Sequence, residues 1–477
     1  MPIGRRETLA LTGAFLAGLA GCTGSEEAPA TRATTRETTV RRTTIRDTTT
    51  GDGTTTEENS DFEDLDAPPF PQIDPVTDPE VPEDALARQI RGNVAFAFDL
   101  LEVLREQADE PNLFVSPYSV SVALAMTWAG ARGGTEREMA DALNFALDQE
   151  RLHPAFGSLE AEFERRNEDG RAANVRTASD DEDAGPAFEF TTANAVWGQD
   201  GYPFREAFLD LLEAYYGAGL QLVDFEGDPE AARQRINDWV AERTNDRIED
   251  LVPKESIGEL TRLVLTNAIY FRARWRHPFD EETTEPRPFR ALDGTTTEVA
   301  TMHQSVETQY AEIGGHQLVE LPYANRQTSM VVVLPAEGAF ESFERNFSVD
   351  RLAVMLDRTE ATLVDLALPT FEVESSFSLV EAMRALGMER AFTGSADFSG
   401  MAEGGGLSIS DVVHQSFVAV DELGTEAAAA TAVVVEASAP ARRAEMTVDR
   451  PFLFYIRDRP TETPLFVGRV TDLPADG

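Results

Sequence analysis

The chain has 477 residues and a formal net charge of −44, from 85 acidic against 41 basic side chains. A nucleic-acid binder needs a basic stripe, and none is visible. The single cysteine, Cys22, excludes an intrachain disulfide. Lys254 is the lone lysine, and excess carboxylate with almost no lysine points to a halophile, whose carboxylates hold water while salt screens their repulsion. An ordinary acidic secreted protein is the alternative.

Taken in chain order, Arg5-Arg6 precede the apolar run "LALTGAFLAGLAGC". This reads as a twin-arginine export signal, too short for a stable bilayer span. It ends in Leu19-Ala20-Gly21-Cys22, which is similar to a lipobox, so residues 1–22 are expected to be signal and Cys22 the lipidated first residue of the mature chain. An ordinary cleavage site beside a chance cysteine is the competing reading. Residues 23–85 are Thr-rich, then Pro-rich, without apolar periodicity; a disordered linker is expected, either a glycosylated stalk or a plain spacer. A globular pattern runs over 86–475. "ALARQIRGNVAFAFDLLEVLREQ", "VSVALAMTWAGA" and "REAFLDLLEAYYGAGL" have helical spacing. "RLVLTNAIYFRARW", "TSMVVVLP", "TLVDLALPTFEV" and "FLFYI" read as strands. Helices early and strands late predict an α+β domain. The acidic "NEDGRAANVRTASDDEDAG" (167–185) reads as an exposed loop.

Catalytic patterns do not emerge. There is no G-x-S-x-G, HExxH, P-loop or strand-to-helix GxGxxG. The histidines, at 153, 277, 303, 316 and 414, lack metal-ligand spacing. The cysteine lies outside the globular region. No enzyme activity, cofactor or metal is expected.

The stretch "GTEAAAATAVVVEAS" (424–438) is undecided between helix and strand. Laid out with period two, one face carries Thr425, Ala427, Ala429, Thr431, Val433 and Val435 and no charge. The other carries Glu426, Ala428, Ala430, Ala432, Val434 and Glu436. A strand with one face against a core fits this, as does an ordinary Ala-rich strand or helix.

"DELGTEAAAATAVVV" (421–435) resembles the hinge of the reactive-centre loop in the serpin family of serine protease inhibitors. "NLFVSPYSVSVALAMTWAGARGGTEREM", "TANAVW", "LVLTNAIYFRARWRHPFD", "VELPYANRQTSMVVVLP", "LALPTFEVESSFSL", "LGMERAFTGSADFSG" and "RPFLFYIRD…PLFVGRV" resemble further serpin segments in the family's order. The resemblance covers one domain, 86–475. It implies helices packed on three β-sheets, an exposed loop and a metastable native state. A protease would cleave the loop and form an acyl-enzyme, and the loop would then insert as a strand and trap it.

By this resemblance the hinge is Glu422, Gly424, Thr425, Glu426, Ala427, Ala428, Ala429 and Ala430. The family's spacing puts the scissile bond at Ser438–Ala439, which implies a subtilisin-like or elastase-like target. Arg442 or Arg443 would imply a trypsin-like one. Ser116, Ser119, Asn267 and His414 match the shutter, a polar network under the opening sheet, and Trp275 the breach, where the loop enters. His414 is expected to make gating pH-sensitive. The expected partners are a serine protease in a covalent complex and the membrane through Cys22, with no nucleic acid or heparin and a monomeric chain. Export would place it on the extracellular face, lipid-anchored or secreted. A noninhibitory serpin-fold binding protein is the rival reading.

Overall fold

The computed structural model describes residues 62, 65–71, 82–108, 110–172, 187–217, 220–254, 256–403, 405–425 and 442–475. Helices α1 (Glu83–Gln107), α2 (Pro117–Trp128), α3 (Gly133–Ala142), α4 (Gln149–Ala172), α5 (Glu206–Tyr216) and α6 (Pro229–Arg243) fall in the first half, with strands β1 (Leu113–Val115), β2 (Phe188–Gln199) and β3 (Gln221–Val223) among them. Strands dominate afterwards: β4 (Leu263–Arg274), β5 (Glu285–Arg290), β6 (Thr296–Ile313), β7 (His316–Pro322), β8 (Thr328–Leu334), β9 (Glu360–Pro369), β10 (Phe371–Ser378), β11 (Asp411–Val420), β12 (Gly424–Thr425), β13 (Arg443–Thr447), β14 (Phe452–Asp458) and β15 (Thr463–Val470). Between them lie α7 (Phe340–Arg345), α8 (Val349–Asp357) and α9 (Val380–Ala385).

Local chemistry sets the helix ends. Ser116 caps α2 by accepting from the Ser119 N–H at 3.3 Å, and Pro117 occupies the first turn, where its missing N–H costs nothing. Asp228 and Pro229 do the same for α6. Gly217, at φ +59°, stops α5 with the left-handed residue that glycine adopts most readily. Every residue of α2 is buried, which its all-round apolar sequence requires.

The α+β expectation holds. Fifteen described strands form two hydrogen-bonded sheets. The larger runs β1-β15-β14-β8-β7-β6-β9-β13, with β5 on β6. Its long strand β6 pairs with β9 over residues 301–310 and with β7 only over 309–313, so two of the three expected sheets read as one hydrogen-bonded path joined through β6. The smaller sheet has the order β10-β11-β12-β4-β2-β3. Alternate residues of β4 serve opposite sides. Leu265, Ile269, Phe271 and Ala273 join the main core, while Val264 and Ala268 join a second cluster with Ile236 and Val240 of α6. The smaller sheet is therefore covered on both faces, and α6 lies across one of them.

Two regions differ from the sequence reading. The start of the acidic insert is the end of α4, which runs to Ala172: Asn167 is buried, donating to Phe190 O and accepting from Phe190 N, both at 2.8 Å. Within the expected linker, Phe62 and Phe70 are buried in the main core cluster. Phe62 packs on His316 and Phe343, with ring centroids 5.9 and 6.4 Å away, and the Arg351 guanidinium lies over it at 5.0 Å. Single aromatic anchors need no periodicity, so composition gave no sign of them.

Candidate functional site

The smaller sheet is shut at one end and parted at the other. Strands β11 and β4 pair directly and in parallel from Asp411↔Val264 to Ser416↔Ile269. Further along, Thr425 stands between them, paired to Val420 on one side and Ala273 on the other. Admitting it separates the two strands by one extra spacing of about 5 Å. Gly424, opposite Arg274, shows why a side chain is not tolerated here: a Cβ would fall 2.1 Å from the Ala273 carbonyl oxygen, a backbone atom that cannot swing aside. Close approach, more than backbone freedom, makes this residue glycine.

At the shut end, polar side chains fasten the three adjoining strands to α2. Asn194 of β2 and His414 of β11 flank Asn267 of β4 in register. Asn267 Nδ2 donates to Ser119 Oγ at 2.6 Å and to Asn194 Oδ1 at 2.8 Å, and Ser119 Oγ donates to Asn194 Oδ1 at 2.6 Å. The Ser116 N–H points at His414 Nε2, 3.4 Å away, so the ring proton sits on Nδ1 and is donated to Asn267 Oδ1. Ser116 Oγ donates to Leu465 O at 2.6 Å. Asn194 Nδ2 is buried and has no hydrogen-bond partner among the described residues. Burial pushes His414 down to about 3, and a second ring proton would face the Ser116 N–H donor to donor. Both effects oppose a charged His414, which speaks against the expected pH-sensitive gate at this residue.

At the parted end, Trp275 and Tyr323 stack at 4.7 Å with their rings 4° from parallel. Trp275 donates its backbone N–H to Leu423 O at 2.8 Å and its indole N–H to Asp421 O at 2.9 Å. Tyr323 Oη and Thr425 Oγ1 are 2.8 Å apart, and Thr425 is wholly buried. Glu422 O accepts from Phe279 N at 2.8 Å, and its carboxylate accepts from Thr284 Oγ1 at 2.6 Å. Asp421 Oδ1 closes the turn by accepting from the N–H groups of Leu423 and Gly424 at 2.8 and 3.0 Å. Burial raises the Asp421 carboxyl to about 6, against those two N–H groups and with smaller upward pushes from Glu422 and Glu281.

The structure therefore brings Ser116, Ser119, Asn267 and His414 together at one end, and Trp275, Glu422, Gly424 and Thr425 at the other. Glu426, Ala427, Ala428, Ala429, Ala430, Ser438, Ala439 and Cys22 lie outside the described residues. Arg442 pairs with Glu360, and Arg443 opens β13 in register with Leu363. Three members of the site escaped the sequence reading. Asn194 was signalled by an amide within the apolar "TANAVW". Nothing in "ELPYANRQ" marks Tyr323, and Asp421 reads as one more acid.

The resemblance implied an exposed loop that enters the sheet only after cleavage; Gly424 and Thr425 differ from that, being paired inside the gap and buried, while the gap itself lies beside Trp275, where the breach was expected. The family model described as "Serpin (serine protease inhibitor)" matches residues 91–473. The chain is a serpin. It is 39% identical over 386 residues to an uncharacterized serpin-like protein of Thermococcus kodakarensis, covering 80% of this chain and 85% of that one. It is 35% identical over 388 residues to the leukocyte elastase inhibitor of Bos taurus, covering 80% and 98%. The crystal structure of the thermophilic serpin tengpin in the native state superposes with a TM-score of 0.68 at 28% identity, covering 80% of this serpin and 94% of tengpin. Serpins are in general protease inhibitors, not catalysts.

Proposed function

We propose that this serpin inhibits a serine protease by offering residues 426–441 as substrate and inserting the cleaved loop as a full strand between β11 and β4. The observation that carries the reading is the seating of Gly424 and Thr425 in that gap. Thr425 faces the main core through Tyr323, so by alternation Ala427, Ala429 and Thr431 follow it onto that side. Ala428, Ala430 and Ala432 would then face α6, where Ile236 and Val240 already pack on the sheet. Small residues on both faces suit a strand that must pass under a helix, and Glu426 and Glu436 flank this small-residue run. The paired state of Arg442 and Arg443 supports cleavage upstream, at Ser438–Ala439, because a protease needs several extended, unpaired residues around the scissile bond. Small residues there suit a subtilisin-like or elastase-like pocket.

Incubation with a subtilisin-family protease at high salt should give an SDS-stable adduct heavier by the protease mass, and a released peptide beginning at Ala439. Thr425→Arg would bury a charge that nothing pairs. It should turn the chain into a substrate that is cleaved without an adduct, and an undiminished adduct yield would sink the insertion reading. Cleavage of the parent chain without an adduct would favour a noninhibitory binding serpin. A cavity of about 170 Å³ between α1 and the α7–α8 segment, lined by Phe98, Arg105, Glu344 and Phe347, offers that alternative a place for a ligand.

The same reading extends to location. Export by the twin-arginine route, lipidation at Cys22 and the Thr-rich stretch as a stalk would hold a monomeric inhibitor on the outer face of a halophile's membrane. Cys22→Ser should then release the protein into the medium, and continued recovery with the membrane fraction would refute the anchor.

A further inference from the structure

Beside the parted end of the sheet lies a knot of positive charge. Arg276 follows Trp275 directly, and its backbone N–H donates to Pro322 O at 3.0 Å. The bridge between Trp275 and Tyr323 thereby brings in the β7–β8 turn, which carries Arg326. The chain following β14 adds Arg459, whose backbone N–H donates to Gln327 O at 2.7 Å and whose guanidinium donates to Arg326 O at 3.2 Å. These cations crowd one another. Burial and then the nearby Arg326 and Arg459 lower the Arg276 guanidinium, and burial followed by Arg276 and Arg326 lowers His277. Arg459 is paired with Glu320 at 3.0 Å, but Glu320 also pairs with Arg457. Asp169 accepts from the Gln327 amide in the same turn at 2.8 Å. Arg276 and Arg326 are exposed and form no ion pair among the described residues. The chain has two carboxylates for every base, so a cationic knot left uncompensated is out of keeping with its surroundings.

We propose that Arg276, Arg326 and Arg459 form a docking patch for surface carboxylates of the target protease, engaged while the protease holds the reactive loop. The inference rests on the inhibitor reading. An acidic inhibitor and an acidic protease repel each other, and a local patch of guanidinium forks replaces part of that repulsion with carboxylate pairs beside the loop. Exposed pairs at the rim of an interface act mainly on the association rate. The unpaired forks of Arg276 and Arg326, with the Glu320-bound Arg459 beside them, match scattered carboxylates on a folded protein better than the repeating charge of a linear polyanion.

The test compares the parent with the double variant Arg276→Glu/Arg326→Glu, at salt concentrations where circular dichroism shows both folded. The second-order rate of adduct formation is measured with a net-negative subtilisin-family protease and with a net-positive elastase. The inference expects the rate with the acidic protease to fall roughly tenfold, and the rate with the basic one to hold or rise. An unchanged rate with the acidic protease overturns it. So does an equal fall with both, which would mean damage to the neighbouring hinge. If the charge reversal does not fold, Arg276→Gln/Arg326→Gln decides by the same comparison, with a smaller selective loss expected. Polyphosphate that speeds both reactions in the parent and neither in the variant would make the knot a polyanion site and overturn the protease assignment. A parent chain that forms no adduct with either protease would refute the inhibitor reading itself, and this inference with it.

Discussion

The two ends of the smaller sheet are held by different chemistry. At the shut end Ser116, Ser119, Asn194, Asn267 and His414 are all buried and uncharged, and each bonds to another of the five. At the parted end Thr425 is a wedge held by an aromatic stack and single hydrogen bonds, with Asp421, Glu422 and Arg276 close to solvent. A buried polar network gives way as a unit, because losing one member strands the others. The wedge can be extended pair by pair, since each further residue of the same chain would meet the backbone of β11 and β4 as Thr425 does. The difference suits a sheet that must stay closed until its open end is driven further.

The comparison breaks most severely at Asn267. Asn267→Ala would leave Ser119, Asn194 and His414 each short of a partner, a loss of about 3 kcal/mol or more. It should lower the thermal midpoint more than any single change at the parted end. A smaller drop than for Gly424→Ala would reverse the assignment of the lock. Gly424→Ala comes next. Its Cβ has no room beside the Ala273 carbonyl, so the wedge must leave the gap. The fold should survive with about 2 kcal/mol lost, and amide exchange should rise sharply at Asp421, which donates to Gly424 O, and at Trp275, which donates to Leu423 O. Trp275→Phe keeps an aromatic face for Tyr323 but removes the indole bond to Asp421 O and part of a buried side chain. It should cost about 1–2 kcal/mol, with exchange raised at Leu423 and left unchanged at His414.

How much of this was legible in the sequence follows the same division. Shutter positions were named only through the family resemblance, since a single Ser, Asn or His in an apolar segment does not by itself mark a network. Even so, Asn194 was passed over, since its partner Asn267 lies 73 residues away and only strand pairing sets the two side by side. Of the two-fold alternation in 425–436 only Thr425 lies among the described residues, and it is buried. The cationic knot was out of reach. Arg276, Arg326 and Arg459 look unremarkable singly, and it takes the Trp275–Tyr323 bridge to gather them. Phe62 and Phe70 were hidden for a related reason: isolated aromatics in an acidic, Pro-rich stretch dock by shape against a socket made elsewhere. Local pattern reveals elements and their faces, whereas sites assembled from turns appear only once the chain is folded.

The finest test of the contrast is proton binding, because the two ends are expected to titrate in opposite senses. Asp421 has a folded value of about 6, against roughly 3.9 when unfolded, so between those values the folded state binds more protons and stability falls as pH rises. His414 has a folded value of about 3, against roughly 6.5 when unfolded, so the unfolded state binds more protons and stability falls as pH drops through that window. Between about pH 4 and 6 the two slopes oppose each other. Asp421→Asn removes one of them. Relative to the parent, it should lose stability on acidification from pH 6.5 to 4.5. His414→Gln should gain relative to its parent over the same range, if it folds. Where it does not, the His414 ring, followed by proton NMR, should remain neutral down to pH 4.5. Urea midpoints at pH 4.5, 5.5, 6.5 and 7.5, each taken as variant minus parent, cancel the many other carboxylates of this chain. Parallel lines for Asp421→Asn and its parent would mean that the turn carboxylate is solvated in the folded state, and that the parted end is no more electrostatically strained than the shut one.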